Sequence, residues 1–117
     1  MNINPLILSA LSPLGFPISW LEYKGKAKEY IVFNDSLNAP AVYADDTDTA
    51  YSIRTQIHFY TPNDPTETLS RIRKALRSAD FTILETVVMR DNISGQQTGL
   101  IHGIVKVQYK MQNEEES

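Results

Sequence analysis

The chain has 117 residues, a formal net charge of −3 and no cysteine. That is one domain's worth of polypeptide, able to bury roughly two-thirds of its unfolded surface around a single core. The missing cysteines exclude a disulfide framework, a thiolate metal site and a cysteine nucleophile, and fit a reducing compartment.

Glu114, Glu115 and Glu116 carry the whole net charge, so the body of the chain is neutral. Duplex nucleic acid calls for clustered Lys and Arg along a groove. The two basic groups, Lys24/Lys26/Lys28 and Arg71/Arg73/Lys74/Arg77, read instead as solvated faces. No signal peptide is expected, because the start lacks a basic region and its apolar run is cut by Pro5 and Pro13. No stretch has the length of a bilayer span.

In chain order, residues 3–12 suit a short helix with Leu6, Ile7, Ala10 and Leu11 on one face. Asn4 would cap it, Pro5 would take the first position, and Pro13 and Gly15 would end it. "PISWLEY" (17–23) and "EYIVFND" (29–35) read as strands joined by the turn "GKAK", close enough to form a hairpin. Residues 36–49 read as a loop.

"AYSIRTQIHFY" (50–60) alternates with period two. Tyr51, Ile53, Thr55, Ile57 and Phe59 line one face, and Ser52, Arg54, Gln56 and His58 the other. "TPNDPTETLSRIRKALRSADF" carries the longest helix. Asp64 is its expected cap, with Pro65 first and Glu67 in capping-box position. Leu69, Ile72, Leu76 and Ala79 form its apolar stripe, and basic residues gather toward the C-terminal end, where they suit the dipole. Asp80 falls where Gly or Asn usually caps.

Residues 81–91 and 99–111 read as a closing hairpin around a mobile "NISGQQT". Its last strand has Ile101, Val105, Val107, Tyr109 and Met111 on one face, interrupted by Gly103. His102, Lys106, Gln108 and Lys110 lie on the other. The expected architecture is α+β: a mainly antiparallel sheet of about five strands, one long helix packed on a face and a short N-terminal helix. Residues 1–111 form the single domain and 112–117 an acidic, disordered tail.

Chemistry-bearing patterns are sparse. "DDTD" (Asp45, Asp46, Asp48) lacks the Gly and distal Glu of a calcium loop and suits a turn leading into a strand. His58 and His102 fall on polar strand faces and could meet if their strands were neighbours, but neither has a second ligand at metal spacing in its own strand. No serine sits in a nucleophile elbow and no Gly-rich phosphate loop exists. The sequence therefore names no catalytic, cofactor-binding or metal-binding residue. It leaves the wet face of 50–60, with Arg54, Gln56, His58 and Tyr60, as either a protein contact or an ordinary solvent face.

Several stretches together carry a resemblance. "PISW", "YIVFN", "PAVYADD", "YSIRTQIHFY" and "IRKALRSADF" make residues 15–110 resemble the tail completion (tail terminator) proteins of long-tailed phages and prophages. Asp80-Phe81 stands where that family usually has Gly-Phe. The resemblance implies a non-enzymatic virion protein without cofactor. It would form a hexameric ring on the head-proximal end of the tail tube, stop tube polymerisation and offer a surface to the head–tail connector. Its partners would be copies of itself, the tube protein and connector proteins. DNA would pass through without sequence-specific binding, and no membrane would be involved. The protein would reside in the virion and, during assembly, in the host cytoplasm.

Contact residues expected on this basis are Asp45, Asp46, Arg54, Gln56 and Tyr60, with Arg71, Arg73 and Arg77 as partners for the acidic turn of a neighbouring copy. Two other readings stay open. One is a neck or head–tail adaptor acting one layer higher. The other is a small ligand-binding or hydrolytic domain using His58 and His102.

Overall fold

The computed structural model describes residues 3–34, 37–40, 50–93 and 96–112. Helix α1 (Asn4–Leu11) runs into a 3-10 turn (Ser12–Leu14) and is followed by β1 (Ile18–Trp20), β2 (Tyr30–Phe33), β3 (Leu37–Pro40) and β4 (Ala50–Thr61). Helix α2 (Thr66–Ser78), β5 (Phe81–Ile93) and β6 (Gln96–Gln112) complete the order. The result is α+β, with the strands mostly antiparallel in the order β1-β2-β4-β6-β5. The short β3 pairs with the start of β4, Leu37 opposite Arg54 and Pro40 opposite Tyr51. It lies inside the segment expected to be loop; the remainder of 36–49, including Asp45 and Asp46, lies outside the described residues, as do 113–117.

Period-two alternation sets the sheet's two faces. Ile53, Thr55, Ile57 and Phe59 of β4 are buried, as are Val105 and Val107 of β6 and Ile31 and Phe33 of β2. They form one core with Ile3, Ile7 and Leu11 around α1 and with Leu69, Ile72 and Leu76 of α2. The apolar stripe read at helical spacing is thus the stripe that enters the core.

Gly103 explains itself here. A Cβ on it would stand 2.8 Å from Cδ2 of Leu69, well inside van der Waals contact. Glycine lets the α2 side chain lie directly on β6.

Helix ends differ from expectation in detail. Asn4 is the first helical residue and Ile3 precedes it without a side-chain cap, so Asn4 does not cap α1. Asp64 does act at the start of α2: its Oδ1 accepts the Thr66 backbone N–H at 3.0 Å and the Thr66 hydroxyl at 2.7 Å. Those two bonds hold its carboxyl below the usual carboxylate range. Asp80 takes the left-handed conformation after the helix, φ 72°, with its N–H donating to the Arg77 carbonyl at 3.0 Å.

The expected 17–35 hairpin does not form. β1 runs parallel to β2, with Ile18 beside Ile31 and Trp20 beside Phe33. Leu21 turns the chain with φ 67°, and its N–H still reaches the Phe33 carbonyl at 2.8 Å. The parallel arrangement keeps Ile18 on the same side as the buried Ile31 and Phe33, and Ile18 packs against that core.

The closing hairpin is longer than expected. Beyond the Thr61–Ile101 pair, β6 has no β4 partner, and Gln96–Leu100 lie beside β5 or its turn alone. At about 3.3 Å per residue this arm reaches roughly 15 Å past the sheet. The molecule is accordingly elongated, 49 × 29 × 24 Å. Among the described residues no helix is long and apolar enough to cross a membrane.

Candidate functional site on the open sheet face

The sheet face away from the helices carries most of the polar chemistry. Alternation puts Arg54, Gln56, His58 and Tyr60 of β4 there, and pairing with β6 adds Gln108, Lys106, Ile104 and His102 opposite them in that order. Because β4 and β6 are neighbours, His58 and His102 sit on adjacent strands one diagonal step apart. They meet: His58 Nδ1 and His102 Nε2 are 2.6 Å apart.

The surrounding amides fix the direction of that bond. Asn34, just past β2, places its side-chain NH2 3.3 Å from Gln56 Oε1 and 3.1 Å from His58 Nε2. An amide nitrogen can only donate, so His58 Nε2 accepts and its proton sits on Nδ1. Nδ1–H then donates to His102. Asn34 is itself held by backbone bonds, its carbonyl accepting the Thr55 hydroxyl at 2.8 Å and its N–H reaching the Gln56 carbonyl. Burial pushes the His58 imidazole down to about 4 from its ordinary 6.5, and positive charge on His102 would push the same way. The pair is therefore uncharged at neutral pH on the His58 side.

A row of rings flanks the pair. Tyr23 stacks on Tyr30 (4.3 Å between centroids), Tyr30 on Tyr60 (4.8 Å) and Tyr60 on His102 (4.2 Å). Tyr30 and Tyr60 are each stacked on both faces, so the row stiffens the sheet.

On the other side of Asn34 lies a basin of about 380 Å³, bordered by Asn34, Arg54, Gln56, Leu84 and Lys106. Arg54 Nε donates to Gln108 Oε1 at 3.3 Å. Lys106 pairs with Glu85 at 3.3 Å. Leu84 is present because of a bulge: the β5 register slips between Ile83 and Glu85, and Leu84 has no opposite number on β6.

The expected contact residues separate into groups. Arg54, Gln56 and Tyr60 share the open face. Arg71 and Arg77 are exposed on α2, and Arg73 of the same helix reaches the Thr86 hydroxyl at 3.4 Å, all on the opposite side of the sheet. The structure does not bring these two groups together. Ser52, expected on the wet face, is fully buried, and its hydroxyl has no hydrogen-bond partner among the described residues.

Sequence reasoning missed Asn34, which joins the histidine pair to the basin. Only its place after an aromatic, β-branched strand could have suggested it. The bulge at Leu84 had no sequence signal either.

A further pattern concerns the sheet's two margins. Among the described residues, β5 and β1 each have a strand neighbour on one side only. Leu84, Val88 and Met89 on β5 are about half exposed, and so are Trp20 and Leu21 at the β1 margin. Among the described residues there is no group of three or more metal-ligating His, Cys, Asp or Glu side chains. No protein-family model matches this chain, and no curated protein matches it either.

Proposed function

We propose that this chain is a structural assembly protein that closes on copies of itself as a ring and caps the head-proximal end of a phage tail tube, stopping tube growth and presenting a platform for head–tail joining. The observation that carries the reading is the pair of unlike apolar margins on one sheet. A ring requires a heterologous interface, in which one patch of each subunit meets a different patch of the next. Leu84, Val88 and Met89 on one edge and Trp20 and Leu21 on the other supply two such patches, and an unprotected edge strand invites a partner. The sequence resemblance across residues 15–110 supports the tube as the substrate of the cap. The protruding β5–β6 arm suits a contact with the layer above or below, and a neutral body suits a ring that lets DNA slide past.

Mixing two single-edge variants tests the geometry. Val88→Lys blocks one margin and Leu21→Lys the other; both positions are exposed, so folding stability should change by less than about 0.5 kcal/mol. On tubes, each variant alone should fail to close a ring. An equimolar mixture should stop at a heterodimer, because only one intact pair of edges remains. Isologous dimers of either variant alone, or full rings from the mixture, would refute the head-to-tail arrangement. Tails of normal length lacking heads, when the protein is omitted, would move the assignment to a neck adaptor.

A further inference from the structure

The histidine pair is one end of a hydrogen-bonded chain on the open face. The Asn34 side-chain NH2 donates to Gln56 Oε1 at 3.3 Å and to His58 Nε2 at 3.1 Å, and His58 Nδ1–H donates to His102 Nε2 at 2.6 Å. The two imidazole centres are 4.8 Å apart, which is the nitrogen separation plus one ring radius at each end. The nitrogens therefore meet head-on. No metal ion fits on that line, since a Zn–N bond alone takes about 2.0 Å; a proton does.

The chain has a direction, and a proton at its far end conflicts with it. His102 Nε2 accepts, so the neutral ring carries its own proton on Nδ1 and its free lone pair is the one on Nε2. A proton taken up by His102 goes there. The new N–H then confronts the Nδ1–H of His58 across 2.6 Å. His58 does not become charged as well, because burial first, and then His102, hold it down to about 4. What it can change is which nitrogen carries its single proton.

We propose that Gln56, Asn34, His58 and His102 form a proton-operated switch, in which one proton bound at His102 reverses every hydrogen bond of the chain and turns the Asn34 and Gln56 amides end for end. In the reversed state His102 Nε2–H donates to His58 Nδ1, and His58 Nε2–H donates to the Asn34 side-chain carbonyl. The Gln56 NH2 donates to that same oxygen, which has two lone pairs. His102 gains one proton from solvent. His58 gives up the proton on Nδ1 and takes one on Nε2, so its charge is unchanged. Every group keeps a partner, and a charge-assisted bond replaces a neutral one between the rings.

The surroundings confine the response to side-chain amides. The Asn34 backbone is pinned, its carbonyl accepting the Thr55 hydroxyl at 2.8 Å and its N–H donating to the Gln56 carbonyl at 3.2 Å. His102 is stacked on Tyr60 at 4.2 Å, which opposes a swing away from His58. The titratable and charged groups on this face are Tyr30 of β2, Arg54 and Tyr60 of β4, Lys106 of β6 and Glu85 of β5. Lys106 and Glu85 pair at 3.3 Å and cancel, and Arg54 stands beyond Gln56, bonded to Gln108. Asn34 and Gln56 both border the basin, so the switch exchanges donors for acceptors on its wall while the backbone stays still.

Long-range ¹H–¹⁵N NMR of the imidazoles reads the switch between pH 8 and pH 5. At pH 8 the His58 proton should be on Nδ1. As His102 gains its second N–H, neutral His58 should convert to the Nε2–H form, and the Asn34 and Gln56 side-chain NH2 signals should shift with the same midpoint. His102→Gln can still accept from His58 Nδ1–H but binds no proton. In that variant His58 should stay on Nδ1–H until its own ring becomes charged. Nε2–H already present on His58 at pH 8, Nδ1–H retained once His102 is protonated, no protonation of His102 down to pH 5, amide signals that ignore the His102 midpoint, or neutral Nε2–H on His58 in His102→Gln would each overturn the proposal. None of these outcomes bears on tube capping.

Discussion

Protonation of His58 gives the structure a measurable dependence on pH. His58 is held uncharged, its pKa lowered to about 4 from an ordinary 6.5, first by burial and then by His102. The sign follows from linkage. Between those two values the unfolded chain binds a proton at this site and the folded chain does not, so stability rises with pH across that window. The contribution is fully present above the unfolded value and is lost as pH falls toward 4.

One pKa unit corresponds to about 1.4 kcal/mol, which sets a ceiling of roughly 3 kcal/mol. Solvent screens a half-buried imidazole, and the effect on stability should be about 1–2 kcal/mol. Urea unfolding from pH 7.5 to 4.5 measures it. Carboxylates titrate in the lower part of the same range, so the quantity to compare is wild type against His58→Gln. Glutamine can still meet the Asn34 amide but cannot ionise. The variant should show the shallower loss of stability with acid, by that difference, and an NMR titration of wild type should place the His58 midpoint clearly below 6.5. A midpoint near 6.5, or parallel pH profiles for the two proteins, would refute the account of the pair.

Three further outcomes are expected. Gly103→Ala puts a methyl 2.8 Å from Leu69 Cδ2 in the core; overpacking costs about 1–3 kcal/mol and the reduced freedom of the unfolded chain returns about 0.4–1 kcal/mol, so the unfolding free energy from urea melts should fall by a net of about 1 kcal/mol. That penalty should shrink in a Leu69→Ala background, and strict additivity in the double-mutant cycle would count against direct contact. Asp80→Gly relieves a left-handed residue after α2 and should raise stability by about 1 kcal/mol in thermal melts. Val88→Lys should leave the melting curve within error of wild type yet abolish tube capping, whereas a capping-competent variant would remove β5 from the interface.

The sequence showed what is local and periodic. Alternation in 50–60 separated Ile53, Ile57 and Phe59 from Arg54, Gln56 and His58, because a half-buried strand has a period of two. The α2 stripe was legible for the same reason at 3.6. The parallel β1–β2 pair was not legible: a turn at Leu21 with positive φ, in a residue with no preference for it, decides the strand direction. Ser52 broke the alternation because burial depends on what covers a residue as well as on which way it points. The meeting of His58 and His102 depended on β4 and β6 being neighbours, a long-range fact that a single strand does not contain. Asn34 and Leu84 owe their places to a strand end and a bulge, both set by register.

Tube length tests the central claim most directly. The cognate tube protein is polymerised with and without this protein, and lengths are measured by electron microscopy. Tubes should be overlong and unbounded in its absence and should stop, with a ring of density at one end, when it is added. Identical length distributions in the two preparations would contradict the claim.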